Sequence, residues 1–147
     1  MLRLFETFRA KRPERLNAAV NSALHSVVDE SIRVSRQTDP TPPGWLVDIC
    51  VLIEDRIAQP IRIRDLARAA GVHPVYLARA FRRFHGVSAT EYVRRRRAVR
   101  VATRLSTRSA SLCEIAGVCG FADQAHMTRT FKSQLGLTPG AFRRLLA

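Results

Sequence analysis

Apolar residues recur every three or four positions along most of the chain, with polar residues between them. This spacing gives an α-helix one apolar face, whereas a half-buried strand would show strict alternation of apolar and polar residues. From Trp45 onward no such alternation is long enough to indicate a sheet. The pattern therefore predicts an all-α protein, with an amphipathic N-terminal helix ahead of the other helices.

Residues 1–37 form the N-terminal part of this pattern. After Pro13 an apolar stripe runs for about 25 Å on a helix that rises 1.5 Å per residue. Its members are Leu16, Val20, Ala23 or Leu24, Val27 or Val28, and Ile32. Two partners for the stripe stay open: residues 1–10 or the following domain, and the same helix of a second subunit, which would make a homodimer through residues 13–34.

The segment 38–45 separates this helix from the rest of the chain. Three prolines and Gly44 fall within seven residues, a composition that ends helices and favours an extended connection. We therefore expect a proline-rich linker at 38–45 and a separate domain at 46–147.

The domain at 46–147 contains an internal duplication. Residues 77–92 (LARAFRRFHGVSATEY) return without a gap as residues 127–142 (MTRTFKSQLGLTPGAF). A short helix-like segment ending at glycine, Gly71 or Gly120, precedes each copy. Helix, glycine turn and second helix make up a helix-turn-helix, so the sequence predicts two of them, at about 63–86 and 111–135.

Further helices complete the predicted domain. A first helix faces inward with Leu46, Ile49, Cys50, Ile53 and Ile57. A linker helix at about 88–106, with Ser88 as N-cap and Glu91 as its capping-box partner, joins the two units. Asp123 is expected to cap the second helix of the second unit. A last helix begins at Thr138 and Pro139 and is expected to close on Phe142, Leu145 and Leu146.

Charge changes this picture by indicating a partner. The chain carries a net charge of +13, of which residues 46–147 contribute +11 and residues 1–45 contribute +2. The duplicated part is therefore the part that faces a polyanion. No stretch of 18 apolar residues and no signal peptide is present, so we expect a cytoplasmic protein without a membrane partner.

No pattern in the sequence indicates an enzyme. Cys50, Cys113 and Cys119 are expected to be reduced, half-buried core thiols, because none has metal-ligand spacing. The four histidines likewise share no such spacing, and neither a nucleophile–base pattern nor a glycine-rich phosphate loop is visible. We therefore predict no catalytic residue, no metal and no cofactor.

The candidate DNA contacts lie on the second helix of each unit, opposite the core residues Leu77 and Phe81 and their repeats. Arg79 and Arg129 occupy the same position in both copies, where an arginine can form two bonds to guanine, and Gln124 can do so with adenine. The alternative for any one of these side chains is simple solvation. The predicted base readers are Val75, Ala78, Arg79, Gln124, Ala125, Thr128 and Arg129, and the predicted phosphate contacts are Arg82, Arg83, Arg94, Arg95 and Lys132.

The run Arg94–Arg97 is less specific than these positions. Four consecutive arginines point to all sides of a helix, so at least one must meet the core side and either extend to solvent or pair with an acid. One or two others are expected to contact phosphate.

The two units together resemble the C-terminal DNA-binding module of AraC/XylS-type transcription regulators. The resemblance rests on motifs such as LARAFRR at 77–83, Gly120-Phe121, Arg129-Thr-Phe-Lys132 and the Gly-x-Thr-Pro ending at 136–139. It implies a bacterial regulator, most often an activator acting with RNA polymerase, that sets two recognition helices into successive major-groove segments of double-stranded DNA, about 34 Å apart. Val75 and Ala78 depart from the larger readers common in the family.

The segment 1–45 is too short and too helical for the sensor domain that such regulators usually carry. A small stand-alone activator set by its abundance and a truncated regulator that keeps a dimer helix both stay open. A non-specific nucleic-acid or chromosome-binding protein is the alternative function, and it predicts steep salt dependence with little sequence preference. A DNA-repair methyl acceptor needs an N-terminal cysteine cluster, and no cysteine precedes Cys50.

Overall fold

The computed structural model describes residues 41–106 and 110–146. Within these residues the chain forms seven α-helices and no strand, which confirms the predicted all-α class. The helices are α1 (Gly44–Asp55), α2 (Ile63–Ala69), α3 (Pro74–His85), α4 (Ala89–Ser106), α5 (Leu112–Val118), α6 (Gln124–Leu135) and α7 (Pro139–Leu146). The predicted helix at 1–37 and its dimer stripe lie outside the described residues.

The first compact unit contains α1, α2, α3 and the first half of α4, within residues 41–97. Helices α2 and α3 form the helix-turn-helix, and α1 packs against α3. The ring of Phe81 lies in the middle and meets the edge of Tyr92 from α4, with ring centroids 5.4 Å apart. The other buried residues of this core are Leu46, Ile49, Ile53, Ile57, Leu66, Ala67, Leu77, Ala80, Ala89 and Val93.

The second compact unit contains the remainder of α4 and helices α5, α6 and α7. Its helix-turn-helix consists of α5 and α6, and α7 packs against α6. Phe131 of α6 and Phe142 of α7 meet edge to face at 5.5 Å. The buried apolar residues of this unit are Ala98, Val99, Val101, Ala102, Leu105, Ile115, Ala116, Cys119, Phe121, Met127, Phe131, Pro139 and Phe142.

Side-chain caps fix where the helices begin. The carboxylate of Asp123 accepts the backbone N–H of His126 at 2.6 Å, and the hydroxyl of Ser88 accepts that of Glu91 at 3.2 Å, both as predicted. Ser111 and Glu114 form a reciprocal capping box at the start of α5 that the sequence reading had not identified. Each cap provides a partner for an N–H group that the helix itself leaves unbonded.

Two left-handed glycines end the helices of the first unit. Gly71 has a φ of 65° in the turn between α2 and α3, and Gly86 has a φ of 68° where α3 ends. Residues with a β-carbon are strained in this conformation. The glycine turn predicted from the sequence is therefore present.

Two predicted side-chain positions were wrong. Cys113 is exposed rather than half-buried, because it lies on the outer face of α5 while Ile115 and Ala116 face the core. Leu145 is 50% exposed, since Phe142 already closes α7 against the second unit. None of the three cysteines, all of which lie in the described residues, forms a disulfide; Cys50 is partly buried and Cys119 is buried.

Candidate nucleic-acid interface

The exposed face of α3 carries most of the predicted contacts of the first unit. Pro74 occupies the first turn, and the ring of His73 caps the helix by accepting the N–H of Val75 at 3.3 Å. Leu77, Ala80 and Phe81 turn inward, so the opposite face must meet solvent. The predicted residues Val75, Arg79, Arg82 and Arg83 are exposed on it, whereas Ala78 is only partly exposed.

Helix α6 repeats this arrangement in the second unit. Met127 and Phe131 are buried, and the exposed predicted residues are Gln124, Ala125, Arg129 and Lys132. Thr128 is partly exposed, like Ala78 at the corresponding position of α3. The duplicated sequence therefore gives two helices with the same inner and outer faces, and the repeated arginine is on the outer face of both.

Histidine aside, every charged side chain on α3 and α6 is positive. Helix α3 contains three arginines and no carboxylate, and α6 contains Arg129 and Lys132 and no carboxylate. Neither Arg79 nor Arg129 forms an ion pair or a side-chain hydrogen bond within the described part of the chain. Their guanidinium groups are thus available to an external acceptor without first breaking an internal bond.

The run of arginines on α4 divides into two pairs. Arg96 pairs with Glu54 of α1, and Arg97 donates to the backbone carbonyls of Ile57 and Gln59 at 3.0 and 2.7 Å. Both arginines therefore hold α4 to the end of α1 within the first unit. This confirms the prediction that part of the run meets the core side and pairs there.

Arg94 and Arg95 differ from their neighbours in exposure. Arg94 is 57% exposed and Arg95 34%, and each approaches Glu91 of the same helix at 3.6 and 3.8 Å. Ion pairs this exposed contribute little to stability. Both side chains can therefore exchange Glu91 for a phosphate at small cost.

One exposed residue of α3 was missed by the sequence reading. Tyr76 is 55% exposed, and its ring packs against Trp45 of α1 with centroids 5.6 Å apart. It precedes Arg79 by three residues, a spacing that puts both on the same side of a helix. The three-residue spacing from Arg79 is the sequence signal that points to this position.

The corresponding position of the second unit is held differently. His126, fifty residues after Tyr76, meets the edge of Phe121 at 5.3 Å. Phe121 belongs to the turn before α6, whereas Trp45 comes from α1, a helix outside the repeat. Helices α3 and α6 therefore begin in different aromatic surroundings although their outer faces match.

His85, the last residue of α3, packs among Cys50, Phe81 and Tyr92. Nε2 of His85 lies 3.4 Å from Sγ of Cys50, and its ring packs on Phe81 and Tyr92 at 5.2 and 4.9 Å. Burial lowers the pKa of His85 and raises the pKa values of the Cys50 thiol and the Tyr92 hydroxyl. These groups are neutral at pH 7 and serve packing of α1, α3 and α4.

Metal-binding groups and membrane-spanning helices are absent from the described residues. No group of three or more His, Cys, Asp and Glu side chains that could hold a metal ion occurs there. No described helix is long and apolar enough to cross a membrane.

Comparison with known proteins identifies the family. Residues 66–145 match a helix-turn-helix domain family. The chain is 30% identical over 112 residues to the HTH-type transcriptional activator AarP of Providencia stuartii, covering 76% of this chain and 83% of that protein. It is 39% identical over 83 residues to the probable transcription factor PqrA of Proteus vulgaris, covering 56% of this chain and 68% of the relative.

A solved structure shares the fold. The AraC-type DNA-binding domain of a transcriptional regulator from Chromobacterium violaceum superposes with a TM-score of 0.66 at 28% identity, covering 70% of this chain and 92% of that one. The chain belongs to the AraC/XylS family. It is a sequence-specific DNA-binding transcription regulator. Proteins of this class bind double-stranded DNA and are not enzymes.

Proposed function

We propose that this AraC/XylS-type regulator activates transcription by placing α3 and α6 in successive major-groove segments of a promoter site. One observation carries the proposal: the same arginine, Arg79 in the first unit and Arg129 in the second, is exposed on the outer face of each recognition helix. An activating role is supported by the similarity to AarP, which is named a transcriptional activator.

Base recognition is assigned to the outer faces of α3 and α6. Arg79 and Arg129 donate two hydrogen bonds each to guanine O6 and N7, and Gln124 bonds adenine N6 and N7. Four smaller side chains are proposed to contact a thymine methyl group or a base edge at short range: Val75, Ala78, Ala125 and Thr128.

Phosphate contact is assigned to the surrounding cations. Arg82 and Arg83 lie toward the end of α3, Lys132 toward the end of α6, and Arg94 and Arg95 on α4. Such contacts set the position of the protein on the duplex without reading sequence. Their sum makes the affinity depend on salt concentration.

The proposed domain plan places the DNA-binding domain at 46–147, after a linker at 38–45. Residues 1–37 are proposed to form a helical segment that joins two subunits through residues 13–34. RNA polymerase is the proposed partner at the promoter, since an activator must change how the polymerase engages DNA.

Selection of bound sites from random double-stranded DNA with the purified 147-residue chain tests this function. The expected result is a pair of short motifs about ten base pairs apart, because one turn of B-DNA separates successive major-groove segments on one face. Measuring the affinity of the selected site and of a scrambled site at several salt concentrations supplies the control. Equal affinity for both at every salt concentration would show a non-specific nucleic-acid-binding protein instead.

A further inference from the structure

The contact between Trp45 and Tyr76 places an aromatic residue at the edge of the recognition surface of the first unit. Tyr76 lies in the first turn of α3, one helical turn before Arg79. The residue is 55% exposed even though the ring of Trp45 packs against its own ring. No other described residue hydrogen-bonds to the Tyr76 hydroxyl, so that group faces solvent as an available donor.

Trp45 restrains the ring of Tyr76 from a separate helix. It lies in the first turn of α1, is itself partly buried, and meets Tyr76 at 5.6 Å with an angle of 40° between the ring planes. An aromatic contact of this kind contributes about 0.5–1.5 kcal/mol beyond simple area burial. A tyrosine held in one orientation loses less freedom when it binds than a free side chain does.

The position of Tyr76 on the helix decides what it can meet. A residue three before Arg79 and seven before Arg83 lies along the same stripe as both arginines. Tyrosine hydroxyls are among the neutral donors that contact DNA phosphate oxygens, and backbone contacts flank the groove that a recognition helix enters. No carboxylate lies on α3 to repel a phosphate there.

We infer that the Tyr76 hydroxyl donates a hydrogen bond to a DNA phosphate oxygen and that Trp45 is the positioning residue that holds the tyrosine ring for this contact. The inference rests on the proposed insertion of α3 into the major groove. It gives α1 a part in DNA binding, in addition to its part in the core. The second unit lacks this device, because His126 occupies the corresponding position and packs on Phe121.

Tyr76→Phe tests the contact, because it removes the hydroxyl and keeps the ring against Trp45. Binding to the selected site should weaken by about tenfold, the lower end of the loss expected for one hydrogen bond to a charged group, because Tyr76 is exposed to solvent. The loss should be equal on sites that differ in their bases, and the slope of affinity against salt should stay unchanged, since no charge is removed. Tyr92→Phe is the matched control. Tyr92 is buried in the first unit, so the affinity of this variant for DNA should equal that of the wild type.

Trp45→Leu tests the positioning role through non-additivity. In the wild-type background this variant should weaken DNA binding about as much as Tyr76→Phe does, whereas in the Tyr76→Phe background it should have little further effect. Trp45 is also the single tryptophan of the chain, so its fluorescence should change when the selected site is added. That signal reports directly on the surroundings of Tyr76.

Three results would overturn the inference. Wild-type affinity for Tyr76→Phe would remove the hydroxyl contact, and a changed base preference would make Tyr76 a base reader. Additive losses in the double variant would make Trp45 a purely structural residue. All three presuppose that the wild type prefers its selected site, so failure of the proposed function itself is seen separately, as a wild type without sequence preference.

Discussion

The Arg96 guanidinium pairs with the Glu54 carboxylate, which ties α4 to α1 within the first unit. The Arg96 side chain is 19% exposed, whereas that of Arg94, two residues earlier, is 57% exposed. Arginines of the same run therefore have different surroundings. This difference separates variants that should affect folding from variants that should affect DNA binding.

Arg96→Ala should lower the free energy of unfolding by about 1.5–3 kcal/mol, the usual range for a hydrogen bond to a charged partner. The lower part of that range is expected, because the Glu54 side chain is 40% exposed and solvent screens the pair. Urea denaturation of the full chain measures the change. Arg94→Ala is the control and should stay within about 0.5 kcal/mol of the wild type; equal losses for the two variants would refute the division of the run.

Arg95→Ala should weaken DNA binding uniformly, because a phosphate contact carries no sequence information. The slope of log affinity against log salt should fall by about one unit. Arg56→Ala removes the same charge from an exposed position outside the proposed interface and corrects for net charge. A change in the preferred bases with Arg95→Ala would contradict the assignment.

His85 should make stability depend on pH below neutrality. Burial lowers its folded-state pKa below 6.5, so the unfolded chain binds the proton more readily. The contribution of neutral His85 is complete above pH 6.5, falls as the pH is lowered through the folded-state pKa, and levels off below it. The groups that face the ring are Cys50, Phe81 and Tyr92, with none carrying a charge at neutral pH.

Unfolding midpoints between pH 7 and 5 test this prediction. The wild type should lose stability toward pH 5, and His85→Gln should show a flatter profile. His126→Gln, at the edge of the second unit, serves as the control and should keep the wild-type slope. A wild-type slope in His85→Gln would show that another group causes the pH dependence.

Gly86→Ala and Gly117→Ala should shift stability in opposite directions. Gly86 has a φ of 68°, where alanine is strained by about 1–2 kcal/mol. Gly117 lies within α5 with no atom within 4 Å of an added β-carbon, so alanine there should stabilise by roughly 0.5–1 kcal/mol. Thermal unfolding of both variants gives the two signs. A stabilising Gly86→Ala would show that the left-handed turn is not required.

The regular parts of this fold were predictable because the duplication repeats one apolar pattern. Inward residues such as Leu77 and Met127, and caps such as Asp123, follow from spacing and side-chain chemistry alone. The exposure of Arg79 and Arg129 followed in the same way, from their place opposite the core residues. What a helix shows to solvent is fixed once its buried face is known.

Contacts between helices distant in sequence were not predictable. The pairing of Arg96 with Glu54 spans 42 residues. The contact of Trp45 with Tyr76 joins α1 and α3, which are separated in sequence by α2. Periodicity shows that one member of an arginine run must face inward but not which acid it meets. The capping of α3 by His73 was also not predicted, because histidine is an uncommon N-cap residue. Its ring nitrogen accepts the N–H group that a side-chain oxygen usually accepts.

Helices α3 and α6 are each proposed to read bases through the repeated arginine. Site selection from one random DNA pool with the wild type, Arg79→Ala and Arg129→Ala in parallel tests this assignment. Each variant should lose base preference in one motif only, a different motif for each arginine, at a cost of about 1–3 kcal/mol on the wild-type site. Unchanged preferences with uniformly weaker binding in both variants would contradict it, because the two arginines would then contact only phosphate.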